Sequence, residues 1–211
     1  MSETRDFPFS DAEHHSVANH LGIWTFLTTE ILFFGGMFAS YSVYRWFNPQ
    51  AFALGSEHLI FWVGTVNTGV LLTSSLFMAL ADLAVKAGER RRLTWFLIAT
   101  WTLGALFLAL KGYEYYRTAA EHHVPGAYFG FHWDGPDGPQ VELFMVLYFA
   151  MTGLHAVHML FGLGAVGWLA WLNHRGRLTP QRHEPVAMVA LYWHFVDCVW
   201  VFLYPLLYLI R

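Results

Sequence analysis

Long apolar runs alternate with short polar connections along this chain. Five of the runs reach the ~20 residues that an α-helix needs to cross a bilayer. They are continuous and about twice as long as the alternating strands of a membrane barrel. The pattern therefore predicts an all-α polytopic membrane protein, a bundle of five transmembrane helices over residues 21–44, 59–81, 93–116, 143–172 and 185–210. We divide the chain into a polar N-terminal segment, 1–20, and one transmembrane domain, 21–211.

Lysine and arginine are distributed unevenly between the two sides of this bundle. The N-terminal segment and the second and fourth connections contain eight of them, and the other side contains four. Because cytoplasmic loops carry the excess of positive charge, we expect a cytoplasmic N-terminus and a C-terminus outside. The first 20 residues lack the basic and apolar regions of a cleavable signal peptide, so we expect the first helix to remain in the mature chain.

Composition narrows the class of protein further. The 211 residues are 56% hydrophobic and only 13% charged, against the ~25% of charged residues in soluble domains. These values exclude a disordered chain, a nucleic-acid binder with a basic surface and an ordinary cytosolic enzyme. Cys198 is the single cysteine, so the chain has no intrachain disulfide and no CxxC pair.

Five ionisable residues stand out well inside the predicted spans, away from the span ends, where each costs ~3 kcal/mol on insertion scales. They are Glu30, His155, His158, His194 and Asp197. His155 and His158 share one helix face, and so do His194 and Asp197, because each pair is spaced i, i+3. A hydrogen bond from the imidazole of His194 to the carboxylate of Asp197 would satisfy both groups.

Glu30 and His194 lie on different predicted helices but at a similar depth in the membrane. At the rise of an α-helix, Glu30 and His194 both lie roughly 14 Å from the predicted cytoplasmic side. We therefore hypothesise that they meet if the first and fifth helices are neighbours.

Two interpretations of the histidines stay open. Histidines at similar depth on different helices can ligate haem or a metal, and His155, His158 and His194 are the candidates. The other interpretation is that they are buried hydrogen-bonding groups at helix contacts, since HxxH alone is a weak signal. The soluble pair His122-His123 lacks zinc-site spacing, and we expect it to be solvated.

Glu30 has aromatic and aliphatic neighbours on its helix, so an ionised carboxylate is disfavoured there. One interpretation is a role in proton uptake, proton buffering or contact with a lipid head group. The other is a neutral carboxyl that bonds to a Thr or His on another helix. The residues alone favour neither.

Four segments carry a resemblance to a known family. They are TTEILFFGGMF (28–38), KGYEYY (111–116) with Lys111, Glu114 and Tyr115, YFAMTGLHAVHMLFG (148–162) and ALYWHFVDCVWVFLYPLLYL (190–209). In this order they resemble subunit III of the haem-copper terminal oxidases, the cytochrome c and quinol oxidases. Glu30 stands at the position of that family's carbodiimide-reactive glutamate, and Lys111, Glu114 and Tyr115 match its Lys-x-x-Glu-Tyr helix end.

The resemblance implies an accessory subunit of a proton-pumping cytochrome c oxidase of the bacterial cytoplasmic membrane. It implies that this chain has no catalytic residue, metal or redox centre of its own, and that it is inactive in isolation. Haem and copper would belong to partner subunits. The chain would pack on subunit I, bind phospholipids, and support proton uptake and stability during turnover. His155, His158, His194 and Asp197 would then be structural buried polar groups.

The resemblance also implies the partners. These are oxidase subunits I and II, with subunit IV and a larger respiratory supercomplex as further candidates, and no nucleic acid. Many family members have seven helices and a lipid-filled cleft between the first two and the last five, whereas five are predicted here. The missing pair is either absent or supplied by an extension of subunit I.

Other functions remain open at this point. A quinol oxidase subunit and a nitric-oxide-reductase-associated homologue share the five-helix pattern. From other classes, the alternatives are an intramembrane haem or metal enzyme that uses the three histidines, and a proton-coupled transporter that uses Glu30 and Asp197.

Overall fold

A computed structural model describes residues 12–126, 131–133, 135 and 137–210, with side chains from residue 21 onward. All regular structure in these residues is helical. Along the chain it comprises α1 (Ala12–Phe47), α2 (Pro49–Glu57), α3 (Phe61–Lys86), α4 (Arg90–Ala120), α5 (Gly138–His174), a 3₁₀ turn (Pro180–Arg182) and α6 (Glu184–Tyr208). All of the α-helices except α2 are long and apolar enough to cross a membrane.

The predicted all-α class and its five spans are confirmed, but the helix boundaries differ from the prediction. α1 begins at Ala12, ahead of the apolar stretch that starts at Leu21. Hydropathy marks only the part of a helix that fits the bilayer, and backbone hydrogen bonds continue into the polar residues before it. α2 was not predicted, because nine residues of mixed polarity give no apolar run. The orientation of the termini stays a prediction.

Two glycines end long helices with the same hydrogen-bond pattern. Gly88 follows α3 with φ of 74°, and Gly176 follows α5 with φ of 71°. After α3, the N–H of Glu89 donates to the carbonyl of Ala84 at 3.0 Å and the N–H of Gly88 to that of Val85 at 3.1 Å. This Schellman arrangement needs a left-handed residue, which glycine adopts without a steric cost. It turns the chain sharply into the next span.

Helices α3, α4, α5 and α6 form a closed bundle, in which each packs on the next and α6 returns to α3. Trp193 of α6 fills its centre and is fully buried. The indole fits because Gly104 of α4 and Gly162 of α5 lie against it: a Cβ atom at Gly104 would collide with the ring, and one at Gly162 would crowd it. α1 lies outside this bundle, mainly against α6.

Side chains from α1 and α2 donate hydrogen bonds to backbone carbonyls in the last turn of α6. The Tyr41 hydroxyl donates to the carbonyl of Leu206. The Ser56 hydroxyl donates to the carbonyl of Leu207 at 2.7 Å. Carbonyls in the last turn of a helix have no partner within the helix, so these bonds attach α1 and α2 to the same end of the bundle.

Candidate functional site

The predicted carboxylate Glu30 contacts α5. Its Oε2 atom lies 3.1 Å from Nε2 of His158, and the side chains are only 19% and 12% exposed. Nδ1 of His158 lies 3.0 Å from the carbonyl of Leu154. Because a carbonyl only accepts, Nδ1 must carry a hydrogen. The contact between Nε2 and Oε2 then holds one proton, either on a neutral Glu30 acid or on a charged His158.

This pair lies in the wall of a groove on the outer surface of the bundle. The cavity there has a volume of about 450 Å³. Tyr192 closes one side, and its hydroxyl donates to the carbonyl of His158 at 3.0 Å. The lining residues are Phe26, Glu30, His158, Phe161, Ala165 and Tyr192. A carboxyl and an imidazole thus meet beside an aromatic surface on the outside of the helix bundle.

The hypothesis that Glu30 meets His194 is wrong, although α1 and α6 are neighbours as it required. Nδ1 of His194 lies 2.7 Å from the hydroxyl of Ser75 on α3 instead. The rotation of α6 explains the difference. Its Trp193 is buried in the bundle centre, and this orientation brings the next side chain, His194, within reach of α3.

The predicted bond between His194 and Asp197 does not form either. Asp197 lies beside Ser75, but neither carboxylate oxygen has a hydrogen-bond partner of normal geometry in the described part of the chain. The i, i+3 spacing put both residues on one face, as expected. The imidazole of His194 is hydrogen-bonded to Ser75 instead of to the Asp197 carboxylate.

His155 is buried in an aromatic environment. Its ring centroid lies 5.5 Å from that of Phe107 and 5.3 Å from that of Trp200. Neither of its nitrogens has a hydrogen-bond partner among the described residues. His155 and His158 therefore share a helix face in sequence but have separate environments.

The helix-end motif forms a buried charged cluster. Nζ of Lys111 donates to Oε2 of Glu114 at 2.7 Å, and the side chains are 3% and 1% exposed. Nζ also donates to the hydroxyls of Tyr148 and Tyr208, both at 2.9 Å. The Tyr208 hydroxyl in turn donates to the Glu114 carboxylate at 2.8 Å. The sequence indicated the motif but not these tyrosines, whose hydroxyls complete the hydrogen bonding of both charges.

Tyr115, the third residue of that motif, extends the cluster toward α5. Its hydroxyl lies 2.5 Å from that of Thr152, which also donates to the carbonyl of Tyr148 at 2.6 Å. Lys111 is further surrounded by aromatic faces, with Nζ 4.7 Å from the Tyr148 ring centroid. The arrangement compensates a buried ion pair with hydrogen bonds and cation–π contacts.

Outside the spans, the expectation that the His122-His123 pair is solvated holds for His122, which is exposed, but not for His123, which is packed. Its ring centroid lies 5.1 Å from that of His58 and 5.9 Å from that of Trp133. Partial burial, and then the nearby His58, lower the pKa of His123 below its ordinary value of 6.5. This part of the surface therefore packs best with a neutral His123.

The three candidate haem or metal ligands do not come together. His155 is enclosed by aromatic rings, His158 binds Glu30 and His194 binds Ser75. Within residues 12–126, 131–133, 135 and 137–210, no three His, Cys, Asp or Glu side chains are grouped so as to hold a metal ion. The geometry gives no support to the intramembrane metal enzyme.

Five helices that are long and apolar enough to cross a membrane define the class of the chain, a multi-pass membrane protein. A family described as "Cytochrome c oxidase subunit III" matches residues 9–210. The chain belongs to this family, and the resemblance read from its motifs is confirmed.

The similar proteins include subunits of both cytochrome c oxidases and quinol oxidases. The chain is 33% identical to cytochrome c oxidase subunit 3 of Thermostichus vulcanus, over 94% of this chain and 90% of that protein. It is 31% identical to cytochrome bo(3) ubiquinol oxidase subunit 3 of Pseudomonas putida, over 90% and 84%. It is 30% identical to cytochrome c oxidase subunit 3 of a Synechocystis species, over 100% and 85%. Membership of an oxidase complex follows, whereas the electron donor does not.

Proposed function

We propose that the chain is the accessory subunit III of a proton-pumping cytochrome c oxidase in a bacterial cytoplasmic membrane. In this role it packs on subunit I in a complex that includes subunit II, and it has no redox centre of its own. It binds phospholipids and supports proton uptake and stability during turnover. The observation that carries the proposal is the Glu30–His158 contact of 3.1 Å in the wall of an aromatic groove.

The groove accounts for both parts of this role. Its aromatic walls, with Phe26, Phe161 and Tyr192, suit the acyl chain of a phospholipid. The one proton of the pair can lie on Glu30, which leaves both residues neutral, or on His158, which forms an ion pair. Since the pair stays bonded in both states, the proton can move between the two atoms without a change of helix packing. We infer that Glu30 buffers or passes protons at this position.

A quinol oxidase is the second candidate, because the Pseudomonas putida relative is named a ubiquinol oxidase subunit. The two candidates share the fold and the partners that we propose and differ in the electron donor. Since the donor site would lie on another subunit, activity of the complex separates them.

The test is purification of the tagged chain from its native membrane in mild detergent. We expect elution with haem- and copper-containing partners, and oxidation of reduced cytochrome c in preference to a quinol. Preference for quinol would transfer the assignment to the second candidate. A haem Soret band on the isolated chain would contradict the lack of a redox centre. Proton-coupled transport by the isolated chain in liposomes would favour a transporter instead.

A further inference from the structure

A second polar site lies between α3 and α6, with no residue in common with the Glu30–His158 pair. It consists of Ser75, His194 and Asp197. Nδ1 of His194 lies 2.7 Å from the Ser75 hydroxyl, and the Asp197 carboxyl lies beside the same serine. At the rise of an α-helix, Asp197 is about 20 Å along α6 from Glu184, which is near the middle of the span.

The Asp197 carboxyl has the Ser75 hydroxyl as its polar neighbour and no cation beside it in the described part of the chain. Asp197 is 4% exposed, and neither oxygen accepts a hydrogen bond of normal geometry from the described residues. The acidic residue Asp82 acts on His194 and pairs with Lys86 at 2.6 Å, so it brings no cation to Asp197. A buried carboxylate that has no cation and no well-aligned hydrogen-bond donor is strongly disfavoured in its charged form. A bound proton removes the charge.

We propose that Asp197, Ser75 and His194 form a proton-binding site, in which Asp197 is a neutral carboxylic acid that exchanges its proton with His194 through the Ser75 hydroxyl. In the exchange, the O–H bond of Asp197 breaks and its proton goes to the Ser75 oxygen. The original hydroxyl proton of Ser75 goes to Nδ1 of His194. The products are a carboxylate, an intact serine and an imidazolium, so protons and charge balance.

His194 connects this site to the surface of the bundle. It lines a groove between α1 and α6 with a volume of about 530 Å³. The other lining residues are Trp24, Leu27, Ile31, Phe34, Gly35, Phe38, Leu191, Phe195, Cys198, Val199 and Phe202. An imidazole in such an apolar wall is the point at which a proton can enter or leave. This route is separate from the groove of Glu30, and it does not depend on the identity of the electron donor.

The first experiment is infrared spectroscopy of the purified protein, in its native complex or as the full chain in detergent. We expect the carbonyl-stretching band of a protonated carboxylic acid in the wild type and loss of that band in Asp197→Asn. Transfer into deuterated buffer should shift the band, and this exchange should slow in Ser75→Ala.

Ser74→Ala is the matched control, because Ser74 is the adjacent buried serine but accepts a hydrogen bond from Trp193 at 3.1 Å instead of contacting His194. We expect exchange at the wild-type rate in this variant. A spectrum that Asp197→Asn leaves unchanged would overturn the neutral acid. Equal exchange rates in Ser75→Ala and the wild type would overturn the serine route.

The second experiment needs no variant and decides the point if Asp197→Asn fails to fold. An apolar carbodiimide reacts with a neutral carboxyl: the acid proton goes to a carbodiimide nitrogen, and the carboxyl oxygen bonds to the central carbon. Mass spectrometry of the labelled wild-type protein should locate an adduct on Asp197. Asp82, paired with Lys86, should stay unlabelled and serves as the internal control. Absence of the adduct from Asp197 would contradict the proposal.

Discussion

Oε2 of Glu30 and Nε2 of His158 lie 3.1 Å apart although Glu30 belongs to α1 and His158 to α5. The bond from Nδ1 of His158 to the carbonyl of Leu154 fixes the orientation of the imidazole. α1 otherwise contacts α6 more extensively than α5. The pair therefore adds a polar link between α1 and α5, and its single proton is what the following prediction tests.

Glu30→Gln should leave the complex assembled but impair its proton handling. A glutamine can donate its amide N–H to Nε2 of His158, so the helix contact is kept. The amide, unlike a carboxylic acid, has no acidic proton that it could transfer. We expect unchanged haem absorption, together with fewer protons pumped per electron or a shorter lifetime during turnover. Proton release from oxidase vesicles and the decay of the oxidation rate measure these quantities.

Glu57→Gln is the control for that variant, because Glu57 is an exposed carboxylate at the end of α2. It should pump and survive turnover as the wild type does. Loss of haem from an assembled Glu30→Gln complex, or pumping and lifetime equal to those of Glu57→Gln, would contradict the role assigned to Glu30.

The buried ion pair of Lys111 and Glu114 should be sensitive to removal of one partner. Lys111→Met leaves the Glu114 carboxylate buried without its cation, and we expect a loss of about 3–5 kcal/mol in the free energy of unfolding. The double variant Lys111→Met/Glu114→Gln should be more stable than the single one, because no buried charge is left unpaired. Denaturant unfolding in detergent measures both.

Arg117 and Glu121 provide a matched exposed pair on the same helix, with Nε and Oε1 3.1 Å apart. Breaking it with Arg117→Met should cost at most about 1 kcal/mol. Equal effects of the two single variants would mean that the Lys111 cluster contributes no more than a surface pair.

Gly162→Ala should disturb the bundle centre. A Cβ atom at this position would crowd the Trp193 ring, and overpacking of a closely packed core costs about 1–3 kcal/mol. Gly164→Ala, two residues along α5, meets nothing within 4 Å and should be tolerated. The midpoints of thermal unfolding of the two variants test the difference, and equal midpoints would refute the tight contact at Trp193.

The packing around His123 should weaken as the pH falls. Burial and His58 lower the pKa of His123 from 6.5, so below pH 6.5 the unfolded segment binds a proton more readily than the packed one. The stabilisation is present above that pH and is lost as the pH falls through the lowered pKa. After correction for the intrinsic rate, the amides of residues 121–126 should therefore lose protection from hydrogen exchange as the pH falls through this range.

His123→Phe is the comparison for that measurement, because it keeps a ring at the position and removes the titration. Its exchange should depend less on pH than that of the wild type, after correction for the intrinsic rate. The same pH dependence in both proteins would assign the effect to another group.

The sequence was informative where the physics is local. Five apolar runs are sufficient to specify five spans, since each buries its backbone hydrogen bonds within one helix. Lys111 and Glu114 are three residues apart, so their pairing on one face also follows from the chain. Tyr148 and Tyr208 complete the same cluster from α5 and α6, and no local pattern indicates that they do.

Helix adjacency and rotation required the tertiary structure. Depth alone allowed Glu30 to meet His194, but residues at one depth on different helices meet only if the helices also face each other. The burial of Trp193 against Gly104 and Gly162 goes with a rotation of α6 that brings His194 to Ser75. Glu30 is paired with His158 of α5 instead.

By itself, then, the sequence determined the class of protein, its spans, its family motifs and the residues that are costly to bury. Only the tertiary structure decided which of those residues meet: Glu30 with His158, Ser75 with His194, and Asp197 with no partner of normal geometry among the described residues. The physical reason is that hydropathy and helical spacing act along one helix, whereas the partner of a buried polar group is set by the packing of bulky and small side chains between helices.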